Sequence, residues 1–259
     1  MRKRRNKSRK LIRFHITYLL MGVCFVLSGY FVNLVVFTSL IIVHEMGHYL
    51  VSRLFCFKVR EIVIYPYGGI TKLEDFINRN INEELLVALS GVIFQYLFYL
   101  VIMHLYNNSY IREYTFNLYT LYNSRMIFFN LLPIYPLDGS KILNLLFNKL
   151  FSYNLSNKLS IVVSIIVIVV IVSLNIYKFN YSNIMIYMVL LWYIIDYCKK
   201  LKYLYHKFML ERYLYNISFD KIRVINDYKG MYKDSSHLLC INNKYYREKD
   251  YLKEMFNRI

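Results

Sequence analysis

Proline is scarce in this chain, with three residues among 259, and glycine is little commoner at eight. That poverty excludes a collagen repeat, a polyproline spacer and a flexible Gly-rich linker. The four cysteines (Cys24, Cys56, Cys198, Cys240) are widely scattered and form no CxxC pair. They offer no disulfide framework and are expected to be packing thiols. Charge is thin as well: charged residues make up 19% and apolar ones 57%, the reverse of a disordered composition. Acidic residues are the rarer sign, 16 against 33 Lys and Arg, and the net charge of +17 would by itself point to nucleic acid. A cleavable signal is not expected, because no small-residue cleavage site follows the basic start and its apolar stretch. The first apolar segment is therefore read as an anchor.

What the chain has instead is long apolar runs. Residues 14–43 carry no formal charge, and only Glu45 interrupts the run before Arg53. About forty helical residues extend roughly 60 Å, two hydrocarbon thicknesses. Two helices joined by a turn at Ser28-Gly29-Tyr30 fit that length. Further spans are expected at 85–106, 114–137, 159–177 and 179–195, six in all, with Arg125 inside the fourth. The fold class is an all-α polytopic membrane protein with a small β-hairpin and a short α+β tail.

Orientation follows the basic residues. With six spans both termini share one side, and up to Arg212 that side holds 21 Lys and Arg against Arg112 and Lys178 opposite. Both termini are expected to be cytoplasmic in a multi-pass cell-membrane protein. The basic charge then faces anionic lipid of the bilayer, and nucleic acid is not expected as a partner. Residues 59–75 read as β-rich around Pro66-Tyr67-Gly68-Gly69, a hairpin or membrane-edge loop. After a basic helix at 203–212, KIRVI and SHLLCI read as strands and EKDYLKEMF as an amphipathic helix. Two domains are expected: 1–212 in the membrane, and 213–259 as the tail.

The most informative pentapeptide is His44-Glu45-Met46-Gly47-His48. On a helix, residues i and i+4 share a face, so both imidazoles can bind one metal while Glu45 polarises a water on it. Three ionisable groups within five intramembrane residues are expensive unless they are used. A catalytic zinc needs a third protein ligand. Asp138 is the main candidate, because Pro133 and Pro136 interrupt the helical ladder and allow a carboxylate to turn inward. Arg125 is expected to snorkel or pair with a polar neighbour, and His237 to be structural.

HEMGH in the second span and NLLPIYPLDG in a later one resemble the site-2 proteases, which are intramembrane zinc metalloproteases. The order of features is closest to the stage IV sporulation protein FB branch. By that resemblance His44, His48 and Asp138 bind Zn2+ and Glu45 is the catalytic base. Asn130 and Pro136 help hold the substrate or stabilise the oxyanion. The tail resembles part of a CBS module. The family's third span often carries Gly-Pro-x-x-Asn, whereas this chain has Gly91-Val92-Ile93-Phe94-Gln95. The resemblance implies cleavage of a membrane-associated regulatory protein, the pro-sequence of a sporulation sigma factor precursor, under restraint by inhibitory membrane partners. The alternatives are a general regulatory site-2 protease that cuts a single-span anchor and, from another class, a metal-binding membrane transporter.

Overall fold

In the computed structural model, which describes residues 11–66, 68–73, 76–175, 181–215, 217, 219, 221–241 and 244–257, the first apolar run breaks where expected. A short strand β1 (Ile12–Phe14) leads into α1 (Ile16–Leu27), and α2 (Phe31–Leu54) follows. His15 caps α1, its Nδ1 accepting the Thr17 N–H at 3.3 Å. Gly29 makes the turn between the helices at a φ of +78°, a conformation glycine adopts without a Cβ penalty. A hairpin of β2 (Val59–Tyr65) and β3 (Gly68–Leu73) comes next, then α3 (Ile81–Asn107) and α4 (Glu113–Leu131). The second half holds α5 (Asp138–Leu150), α6 (Tyr153–Asn175), α7 (Tyr181–Leu214), β4 (Ile222–Ile225), β5 (Ser236–Ile241), β6 (Lys244–Arg247) and α8 (Glu248–Asn257). The chain divides into two units, Met1–Asp75 with Leu89–Phe129, and Phe76–Ala88 with Asn130–Ile259.

In the first unit the hairpin at Pro66 gains a third strand the sequence reading did not include. β1 pairs in parallel with β2, Ile12 opposite Ile62, while β2 and β3 run antiparallel with Tyr65 opposite Gly68. Tyr67, part of the expected hairpin turn, lies outside the described residues. The central strand is buried at Ile62, Val63 and Ile64 in succession, as a strand covered on both faces must be. Ile64 packs with Tyr18 of α1 and Ile41 of α2. β3 is an edge strand, and it lies against α2.

In the second unit Tyr153 stacks on Phe208 with ring centroids 4.3 Å apart, over a core of Met209, Met231, Leu239 and Leu252. Strands β4, β5 and β6 form a sheet in that order, parallel then antiparallel, and α8 packs on it. KIRVI, SHLLCI and EKDYLKEMF therefore fold as read, while β6 and α5 were not anticipated. Helices α5, α6 and α7 are joined by amides and hydroxyls. Asn144 donates to Asn157 Oδ1 at 2.9 Å and to Ser160 Oγ at 3.1 Å, and the Tyr197 hydroxyl donates to Asn157 Oδ1 at 2.9 Å. Such side chains hold helices together where apolar surroundings provide no hydrophobic drive.

Among the described residues, three helices are long and apolar enough to cross a membrane: Phe31–Leu54, Ile81–Asn107 and Tyr153–Leu174. The first expected span, from Phe14 to the turn at Ser28, and the fourth, at 114–137, are not among these three. α1 has 12 residues, short of a bilayer's ~30 Å, and α4 is interrupted by Asn117, Asn123, Ser124 and Arg125. The expected span at 179–195 falls partly on residues 176–180, which lie outside the described ones. Among the described residues Val162, Ile166, Val169 and Val170 of α6 are exposed, an apolar face that lipid can cover. Cys24, Cys56 and Cys198 are exposed too, so they are not core packing thiols.

Candidate metal centre

One helical turn separates His44 from His48 on α2, which stacks the two side chains on one face. Their Nε2 atoms lie 3.2 Å apart, and both residues are buried, at 2% and 7% exposure. His44 Nδ1 lies 3.0 Å from Gln95 Oε1, and His48 Nδ1 lies 3.4 Å from Ser90 Oγ. Each ring thus engages α3 through Nδ1 and turns Nε2 toward the other ring. Two Zn–N bonds of about 2.05 Å at the tetrahedral angle would separate the nitrogens by about 3.3 Å, so the pair fits a shared zinc.

Glycine makes this approach possible. A Cβ on Gly91 would lie 2.4 Å from His48 Nε2 and 2.7 Å from His44 Cε1. A Cβ on Gly47 would lie 2.7 Å from the Ser90 carbonyl oxygen and 2.9 Å from Phe94 Cβ. Larger residues at either position would force the two helices apart.

Glu45, 4% exposed, faces the hairpin rather than α3. Thr71 of β3 donates its hydroxyl to Glu45 Oε2 at 2.7 Å. A Cβ on Gly69 would come within 2.2 Å of Glu45 Cγ, so the strand can lie over the carboxylate only with glycine there. The expected hairpin therefore forms one wall around the carboxylate.

Within the first unit the structure brings together His44, Glu45 and His48. The other expected site residues belong to the second unit. Asp138 is the first residue of α5, 6% exposed, with Oδ1 2.7 Å from Lys141 Nζ. Gly139 follows it, and a Cβ there would meet the Leu131 carbonyl oxygen at 2.1 Å. Loop 132–137 is pinned from α6: Ser164 Oγ donates to the Pro133 carbonyl at 3.1 Å and accepts the Tyr135 N–H at 3.2 Å. Pro136 is half-buried in that loop, and Asn130 is half-buried near the end of α4. The sequence pointed to no role for Ser90 or Thr71, placed Gly69 only in the hairpin turn, and put Gln95 where the family pattern has asparagine. One signal was available: Gly91 and Gln95 are four apart, so both lie on one face of α3.

Residues 32–112 and 105–174 match peptidase family M50. The chain belongs to that family. Over 123 residues it is 35% identical to stage IV sporulation protein FB of Bacillus subtilis, a match covering 48% of this chain and 43% of the relative. It is 25% identical over 151 residues to a zinc metalloprotease of Methanocaldococcus jannaschii, covering 53% of this chain and again 43% of the relative. The matches thus span less than half the length of both curated relatives. The fold resembles the solved site-2 protease from Methanocaldococcus jannaschii, with a TM-score of 0.56 at 21% identity over 73% of this chain and 92% of that one. Family membership and the three apolar helices make this an M50 membrane protein. Zinc is the cofactor that goes with the family and with its histidine pair.

Proposed function

We propose that the chain is an intramembrane zinc metalloendopeptidase that cleaves a membrane-associated regulatory protein. One observation carries this reading: two buried imidazoles face each other Nε2 to Nε2, with a buried carboxylate adjacent in sequence. In this reading His44 and His48 bind zinc and Asp138 completes the set, all three being buried. Two histidines and one carboxylate leave the fourth position open, as a catalytic site requires. Zinc so held would supply Lewis acidity toward the scissile carbonyl and acidify a water. Glu45 takes the water proton and returns it to the leaving amine, with Thr71 holding one carboxylate oxygen in the meantime. Asn130 and Pro136 hold the substrate or the developing oxyanion. A scissile peptide must be extended, because a helix hides its carbonyls. The free edge of β3 would accept such a strand by β-addition.

The topology proposed with it has six spans, both termini cytoplasmic, the catalytic machinery within 1–212 and a regulatory tail at 213–259. The excess of Lys and Arg on one side supports that orientation. A substrate approaching that side would bear a basic amphipathic segment with affinity for anionic lipid. The relative's name, stage IV sporulation protein FB, supports a role in sporulation; by the family resemblance the substrate would be a sigma factor precursor, with membrane partners restraining the protease until the right stage.

The test is co-expression with such a precursor. Shortening that is lost in Glu45→Gln and Asp138→Asn is the expected result. An intact precursor beside a cleaved single-span anchor peptide would instead mark a general regulatory protease. Metal transport that survives Glu45→Gln, without proteolysis, would mark a transporter.

A further inference from the structure

Gln95 is fully buried on α3, and its side-chain amide is used at both ends. Nε2 donates to Asn123 Oδ1 at 3.1 Å and lies 3.3 Å from the Asn123 carbonyl oxygen. A backbone carbonyl only accepts, so the amide end beside Asn123 is the NH2. The oxygen therefore faces His44 Nδ1 at 3.0 Å. An amide oxygen also only accepts, so the proton of that contact sits on His44 Nδ1. A neutral imidazole protonated at Nδ1 presents its lone pair at Nε2, the atom that faces His48 Nε2 at 3.2 Å. The order of dependence runs from Asn123 on α4, through Gln95 on α3, to His44 on α2.

We infer that Gln95, oriented by Asn123, is a positioning residue that sets the tautomer and ring angle of His44 for zinc. The inference rests on the metalloprotease reading. Gln95 touches neither substrate nor reacting atoms. Its effect is on how well His44 binds the metal, and partners of this kind alter metal affinity by about 10- to 100-fold when removed. A buried apolar replacement would fill similar volume but leave the Nδ1–H of His44 without its acceptor.

The experiment measures zinc dissociation from the full chain, purified in detergent, against a competing chelator. Gln95→Leu should weaken zinc about 10- to 100-fold, and Gln95→Glu, which keeps an oxygen at the same reach, should stay within about threefold of the parent. Asn123→Leu should show a smaller loss in the same direction, and it serves alone if Gln95→Leu does not fold. The double variant should be no worse than Gln95→Leu, because Asn123 acts through Gln95. Parent-like zinc affinity in Gln95→Leu would overturn the inference. So would equal losses in the Leu and Glu variants, additive losses at the two positions, or an unchanged Asn123→Leu. His44→Ala separates the two claims: it should release the zinc, and if zinc stays bound the metal reading fails instead.

Discussion

Around Arg212 every donor is answered by the protein itself. Its Nε donates to Asn78 Oδ1 at 2.8 Å, one terminal nitrogen to Glu248 Oε1 at 3.0 Å and the Ser235 carbonyl at 2.9 Å, and the other to the Tyr232 and Lys233 carbonyls at 2.7 and 3.1 Å. His237 beside it uses both ring nitrogens in the same way, accepting the Tyr232 N–H at Nε2 and pairing with Glu248 through Nδ1. Around His44 and His48 the pattern differs. Each ring has an α3 partner at Nδ1, but the two Nε2 atoms converge on each other. Both clusters are buried, so burial does not separate them. The difference lies in where the polar atoms point: the first cluster closes on itself and holds a fold, and in the second two ring nitrogens turn toward a common point, an arrangement that fits a cation.

The largest effect should come from breaking the closed cluster. Arg212→Ala removes the arginine partner of Glu248 and should cost about 3–5 kcal/mol, the usual penalty for opening a buried ion pair. Hydrogen exchange of the β4–α8 amides would read that loss. The same pair makes the tail acid-sensitive. Burial alone would raise the Glu248 carboxyl, but the His237 hydrogen bond and the Arg212 charge outweigh it and hold the group below its usual range. Its contribution is therefore complete above the unfolded carboxylate value of about 4.3 and is lost as pH falls through the lower folded value. Glu248→Gln should flatten that acid response of tail exchange.

Gly91→Ala attacks the other cluster. The added methyl would overlap both imidazoles, a strain of about 1–3 kcal/mol, and zinc affinity should fall while tail protection stays as in the parent. A matching loss of tail protection would erase the contrast between the two clusters. Thr71→Val should be the mildest change. Losing one hydrogen bond to Glu45, worth about 1 kcal/mol, should slow cleavage about fivefold with zinc content unchanged.

Much of this was legible from composition and spacing. The uncharged run of 14–43 exceeds one bilayer thickness, so the turn at Gly29 followed from length, and the i,i+4 histidines followed from helical periodicity. Pro133 and Pro136 marked the end of α4. The partners of these residues were not legible, because they come from packing. Gln95 meets His44 across two helices, and Asn78 meets Arg212 across 134 positions of chain. Strand β1 was missed because three residues beside a long apolar run show no alternation that could be distinguished from a helix start. Helix α5 was missed because its basic residues had been counted as loop charge, although Ile142, Leu145 and Leu146 recur at helical spacing.

Zinc content per chain, measured on the purified protein and four variants, tests the central claim most directly. The account predicts about one zinc in the parent and in Glu45→Gln, whose carboxylate acts on water rather than on the metal, and loss of most of it in His44→Ala, His48→Ala and Asp138→Asn. Stoichiometric zinc in the histidine and Asp138 variants, or loss of zinc in Glu45→Gln alone, would contradict it.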